Sequence, residues 1–526
     1  MTKATQRMTS DARKRVRRIT LGAALALCLA LACAGQHVRP RRATPTSDAP
    51  PTSAQPTSTT NAGGNVINVR AGGDLQAALD RARPGDTILL AAGATYRGAF
   101  RLPNKTGAAF VTVRSAAADA QLPAPGARLD PARHAAALPK LVGGVAGEPV
   151  VNAAAGAHHF RFVAVEFGPT VGGNGNLIQL GTGQEETEAA LPHDIEFDRC
   201  YVHGDAQEGQ RRGIALNARA VKVTNSYFAD IKRRGDESQA LCGWGGPGPF
   251  EITNNYIEAA AEGVMFGGAT PRLKVVPADI SVRGNHFNKP LAWREEGWSV
   301  KNHFELKNAR RVRVEGNLFT NTWASAQDGT AVLFTVRSED GKVPDATVED
   351  VEFVGNVVRN AANCFQVYGA EGRGGHRLTI RNNLFADVDT RWGAGGKFLV
   401  VTEWDGLTVE QNTILTSGSI TTAFGRPTAG FVFRRNVVRH NEYGFHGDGR
   451  APDADSVRFY FPGAEISDNL IVGGASFAGA GRNLYPATLD AVGFVNWRAG
   501  DFRLRPDSPA RRLSAGAPAD ELPQAF

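Results

Sequence analysis

The chain has 526 residues, with 59 lysines and arginines, 52 aspartates and glutamates, and 60 glycines. Ten of the basic residues but only two of the acids fall in the first 48 positions, so the body from Asn65 onward is balanced to within one charge and gives no electrostatic basis for nucleic acid as a partner. Outside two short stretches no segment sustains helical periodicity, which excludes a helix-rich fold and leaves a repeat architecture that absorbs the length as one continuous core.

Residues 1–18 are basic, and residues 19–32 form an apolar run too short to span a bilayer comfortably but suited to the hydrophobic region of a secretory signal. Residues 29–33, Leu-Ala-Leu-Ala-Cys, resemble a bacterial lipobox. This reading makes residues 1–33 a lipoprotein signal, Cys33 the lipidated first residue, and the mature chain an outer-membrane or cell-surface lipoprotein. The competing reading is cleavage after Ala34 and release to the periplasm or medium; in both cases the chain is exported, and a lipid anchor is its sole membrane contact. Residues 34–64, rich in Pro, Thr, Ser and Ala, lack the apolar pattern needed to offset ordering entropy and read as a tether. Cys200, Cys242 and Cys364 have no metal-site spacing and cannot all pair within the chain, so they read as buried thiols.

The body, residues 65–526, opens with a strand, a short amphipathic helix with Asp74 as N-cap and Leu75, Ala78, Leu79 and Ala82 on one face, a turn at Pro84, Gly85 and Asp86, and a second strand. This opening resembles that of right-handed parallel β-helix proteins of the pectate-lyase-like superfamily, in which the helix caps the open end of the stack. Repeats follow. Residues 301–322 serve as the pattern: alternating runs at 304–307 and 312–315, a Gly-Asn corner, then Leu318 and Phe319. The corner is filled in turn by Cys200, Ser226, Asn255, Asn285, Asn317, Asn356, Asn383, Asn412, Asn436 and Asn469, and an apolar residue follows two places later each time. Asparagine donates and accepts at once, so stacked corners predict an asparagine ladder. The resemblance runs from about Val66 to about Leu513 and implies an all-β, single-stranded parallel β-helix of about ten to eleven coils with an N-terminal capping helix.

Insertions flank the first strand of each coil. They lie at 288–302 and 321–329 before it, and at 267–279, 337–350 and 369–376 after it. Loops raised on both sides of one sheet predict a groove with a floor about 50 Å long, a shape suited to a polymer. Alternation aims Phe304 and Leu306 into the core and His303, Glu305 and Lys307 at the floor; the next coils present Arg337, then Gln366 and Tyr368. Lys307 and Arg337 become neighbours, and a second cation lowers the pKa of a lysine, as a lysine general base requires.

This constellation resembles, loosely, the alginate lyase and chondroitinase B family, in which a lysine and an arginine on successive coils serve β-elimination and carboxylates hold Ca²⁺. The resemblance implies Lys307 as base, with His303 beside it, and Arg337 as partner of the leaving oxygen or substrate carboxylate. It also implies Glu305 and Glu262 as Ca²⁺ ligands and an acidic polysaccharide as substrate. Arg212 and Trp244 enter or flank the groove and, with Gln366 and Tyr368, read as substrate contacts; Trp298 is also placed to stack on sugar. Three other functions are open: a non-catalytic glycan-binding or structural protein, a polysaccharide epimerase, and a glycoside hydrolase using Asp236 and Glu237. The expected assembly is a monomer.

Overall fold

The computed structural model describes residues 64–524 except Asp340. The expected signal, Cys33 and nearly all of the tether lie outside the described residues. Three parallel sheets run the length of the body: a groove sheet of 12 strands, a pre-corner sheet of 14 and a post-corner sheet of 13. In the coil of residues 304–322 the three are visited in turn by Phe304–Leu306, Ala309–Glu315 and Leu318–Thr322. The chain is a right-handed parallel β-helix. Its early coils, on Thr87–Leu90 and Val111–Ser115, carry no asparagine corner and so add to a count made on corners.

The helix Leu75–Arg81 caps the stack, with the Asp74 carboxylate accepting from Ala77 N and with Leu75, Ala78 and Leu79 buried. Inside, like side chains stack coil upon coil; the rings of Phe287 and Phe319 lie 4.6 Å apart and 12° from parallel. Each fully buried phenylalanine contributes about 1.5–3 kcal/mol. Among the described residues no helix is long and apolar enough to cross a membrane.

The ladder runs through the corners. Asn317 Nδ2 donates to Asn356 Oδ1 at 2.9 Å, and Asn356 Nδ2 to Asn383 Oδ1 at 3.2 Å and to Val314 O at 2.9 Å. The left-handed turn falls on the residue before each ladder position, as at Asn254 (φ 55°), Gly316 (φ 62°) and Asn382 (φ 59°). The corner asparagine itself is thus free of that strain and serves the hydrogen bonding. Asn356→Ala is expected to cost about 1–3 kcal/mol in chemical denaturation, because buried donors and acceptors lose their partners; a loss below measurement would contradict the ladder's role.

The outer faces differ. On the pre-corner sheet, ion pairs such as Arg161 with Glu196 at 2.5 Å and Arg377 with Asp350 at 2.6 Å face solvent. The post-corner sheet is covered in part by the closing segment, where Val492, Phe494, Phe502 and Ala510 pack on Val357, Leu384 and Leu470. The groove sheet remains open.

Candidate functional site

Three outward columns make the groove floor. Arg212, Gln239 and Glu262 stand in register at the strand starts; Cys242, Met265, Glu305, Leu333 and Gln366 form the middle column; Thr335 and Tyr368 form the third, which Lys307 extends. Between the first two columns the sheet does not alternate. Two successive residues face inward: Gly263 with Val264, His303 with Phe304, and Ala331 with Val332. A Cβ added at Gly263 would lie 2.7 Å from the ring of Phe287, which marks that position as interior.

His303 occupies this inward position, so the structure corrects its expected place on the floor. It is 2 % exposed, between Phe287 and Phe319, with ring centroids at 6.3 and 6.1 Å. Burial, with Lys289 and His286 nearby, holds its pKa well below the usual histidine range. A neutral core histidine results.

Lys307, Arg337, Arg212 and Trp244 do come together, lining one cavity of about 760 Å³ with Arg211, Glu237 and Glu339. Arg212 donates to Gln239 Oε1 at 2.7 Å and lies 5.5 Å from the ring of Trp244. Arg337 is half exposed, bonded to Glu371 at 3.0 Å and 5.9 Å from the ring of Tyr368. Gln366 and Tyr368 continue the floor two coils beyond Glu305 and Lys307. Trp298 does not line the cavity: it is buried with Trp293, Val300 and Trp323, which overturns its expected sugar contact.

Against this cavity lies a buried polar cluster only partly foreseen. Gln239 Nε2 donates to Glu262 Oε2 at 2.9 Å; Asn302 Nδ2 donates to Glu305 Oε2 at 3.0 Å. The ammonium of Lys301 bonds Glu237 and lies 3.6 Å from Glu262 Oε1, while that of Lys307 lies 3.5 Å from Glu305 Oε1. Glu237 and Lys301 are 64 positions apart in loops, where no periodicity connects them. Their one sequence signal is that each falls just before a groove-sheet strand.

The electrostatics follow from burial and this company. Burial alone would lower the pKa of Lys307, but Glu305, Glu262 and Glu237 outweigh it and raise the value. The expected depression by Arg337 is therefore corrected: three carboxylates, and not the arginine, set the lysine's charge. Glu262, fully buried and close to Glu305, is raised well above the carboxylate range. Burial pushes Glu237 up too, but the ammonium of Lys301 overrides this and keeps it ionised.

Linkage fixes the sign at Glu262. The folded chain holds a proton that the unfolded chain releases in the ordinary carboxylate range, so the stability it contributes is full below that range and declines as pH rises toward the folded value. Glu262→Gln is expected to flatten that decline in the unfolding midpoint measured against pH. An unchanged slope would contradict the assignment.

Asp236, the other carboxylate of the hydrolase reading, pairs with Arg211 at 3.2 Å. Cys200, Cys242 and Cys364 are free, buried thiols. Burial pushes Cys242, on the cavity wall, up to about 12, far from a reactive thiolate.

No family model matches the chain, and no curated protein matches it. Among solved structures, an alginate lyase from Paenibacillus sp. str. FPU-7 is similar over 74% of this chain and 99% of that one, at 14% identity and a TM-score of 0.34. The PL6 family alginate lyase AlyGC is similar at 13% identity and a TM-score of 0.41, over 87% of this chain and 58% of that one. PfbA, a surface adhesin of Streptococcus pneumoniae, is similar at 10% identity and a TM-score of 0.38, over 72% of this chain and 84% of that one. The architecture itself stands on the three parallel sheets.

Proposed function

We propose that the groove binds an acidic polysaccharide and cleaves it by β-elimination, with Lys307 as the base that takes the C5 proton of a uronic acid. One observation carries this reading: the cations Arg211, Arg212, Lys307 and Arg337 converge on one open cavity, with Glu237 on its wall, while Glu305 and Glu262, the two carboxylates that act most on Lys307, lie buried beside it. Guanidinium groups pair with carboxylates in two-point geometry, and an anionic sugar crossing the cavity meets them first. Arg337, the more exposed partner, is placed to hold the substrate carboxylate or the leaving oxygen.

Deprotonating Lys307 requires that the pull of Glu305 and Glu262 be neutralised. The donor set there fits a hard divalent cation, because Glu262 Oε1 and Asn302 Oδ1 are buried oxygens without hydrogen-bond partners and Glu305 lies beside them. Ca²⁺ held by Glu262, Glu305 and Asn302 would supply positive charge against the substrate carboxylate. With those carboxylates neutralised, burial and the neighbouring Lys301 favour the uncharged amine of Lys307.

The hydrolase alternative has less support. Glu237 is kept ionised by Lys301, and Glu262 is fully buried and out of reach of a glycosidic oxygen. Export, by the lipobox or by ordinary cleavage, would bring the groove to extracellular polymer.

The test is incubation of the full chain with alginate, pectate and glycosaminoglycans, with and without Ca²⁺, following the ultraviolet absorbance of the unsaturated product. Activity on one polyuronate is expected. Retention of a polymer without any product would favour the glycan-binding alternative.

A further inference from the structure

A second cluster of chemistry-bearing side chains stands apart from the groove, where the chain turns into the pre-corner sheet. His158 and His159 open the strand His158–Val163, and His193 opens the next, His193–Asp198. The register pairs His158 with His193, so their rings stack one coil apart at 4.6 Å and 10°. His159 has a left-handed backbone, φ 55°, which carries its ring beside the stack at 84° to that of His158. His158 Nδ1 and His159 Nδ1 then lie 2.7 Å apart.

The geometry points to a transition-metal site in which His158, His159 and His193 hold Zn²⁺ or a similar borderline divalent cation, joining two consecutive coils. One ligand nitrogen from each ring lies within 4.8 Å of the others. A tetrahedral zinc with bonds of about 2.0–2.1 Å spaces its donors roughly 3.3 Å apart, inside the range these rings span. Three imidazoles suit zinc, copper or nickel and do not suit calcium or magnesium, so this site and the carboxylate cluster of the groove select different ions.

One further feature favours metal over a simple ring stack. Asp194 Oδ2 lies 2.7 Å from His193 Nδ1, so the carboxylate fixes the tautomer and leaves Nε2 with a free lone pair, the arrangement that supports metal-bound histidines. The three rings are half-buried, that of His159 against Phe110, so the ion would sit at the surface with its fourth position open to water.

The test uses metal-stripped full chain without an affinity tag, titrated with Co²⁺ as a spectroscopic probe and then with Zn²⁺. Saturable 1:1 binding with the visible bands of tetrahedral cobalt, displaced by Zn²⁺, is expected, together with a Zn²⁺-dependent rise in the unfolding midpoint. His193→Gln should abolish the bands, and Asp194→Asn, which leaves all three ligands in place, should weaken binding about 10- to 100-fold. Circular dichroism checks that each variant is folded, and Asp194→Asn carries the test if His193→Gln is not. Absence of tetrahedral bands in the wild type, or binding undiminished in either folded variant, would overturn the site.

Discussion

Replacing Lys307 with arginine is expected to lower kcat/KM on a polyuronate by about 10²- to 10⁴-fold, the usual contribution of a general base. The substitution keeps a cation beside Glu305, so the buried carboxylate retains its partner and the unfolding midpoint should move little. An arginine cannot give up its proton at working pH, and this separates the two roles open to Lys307. If its part were only to attract an anionic polymer, Lys307→Arg would retain most activity. The pH profile offers a second reading, because Glu305, Glu262 and Glu237 raise the pKa of Lys307 and activity should climb toward alkaline pH. Neutralising Glu305 and Glu262 with Ca²⁺ should move the rise to lower pH.

Lys289→Met is expected to destabilise the fold by roughly 3–5 kcal/mol in chemical denaturation. The ammonium of Lys289 is fully buried and surrounded by four backbone carbonyls, those of Ala259 at 2.8 Å, Ala260 at 2.9 Å, Ala261 at 3.0 Å and Asn302 at 3.1 Å. Methionine fills the same space and leaves all four oxygens without that donor. The same carbonyls belong to the chain just before Glu262 and Glu305, so activity should fall with stability. A loss below about 1 kcal/mol would show that this corner does not need its cation.

The architecture was legible because two signals agree at every coil from the corner at Asn255 to that at Asn469. Period-two runs such as 312–315 sort core from surface, and an asparagine corner at varying spacing can only be a repeat whose loops change length. The last rung was hidden: Asn483 accepts from Asn469 Nδ2 at 2.9 Å, although only 14 positions separate them, less than any coil spacing.

At the site, what is local was readable and what depends on the third dimension was not. Lys307 and Arg337 share the cavity wall as strand alternation and loop placement required. His303 failed the same rule, because two successive inward residues at the start of the groove strand shift every position before them by one. The charge of Lys307 turned first on Glu305, two residues away on its own strand, and then on Glu262 and Glu237 from other coils, whose approach to the ammonium no spacing reveals. Trp298 followed its loop into a cluster of tryptophans, a choice made by packing.

The central claim is that the groove removes a proton from C5 of a uronic acid, and the hydrogen itself can be followed. Wild-type protein incubated with polyuronates in D₂O is predicted to release chains with an unsaturated terminal sugar, and Lys307→Arg to release none at a comparable rate. Deuterium at C5 in uncut polymer would instead identify an epimerase. Intact polymer with its C5 hydrogen retained across the panel, or cleavage at full rate by Lys307→Arg, would contradict the account.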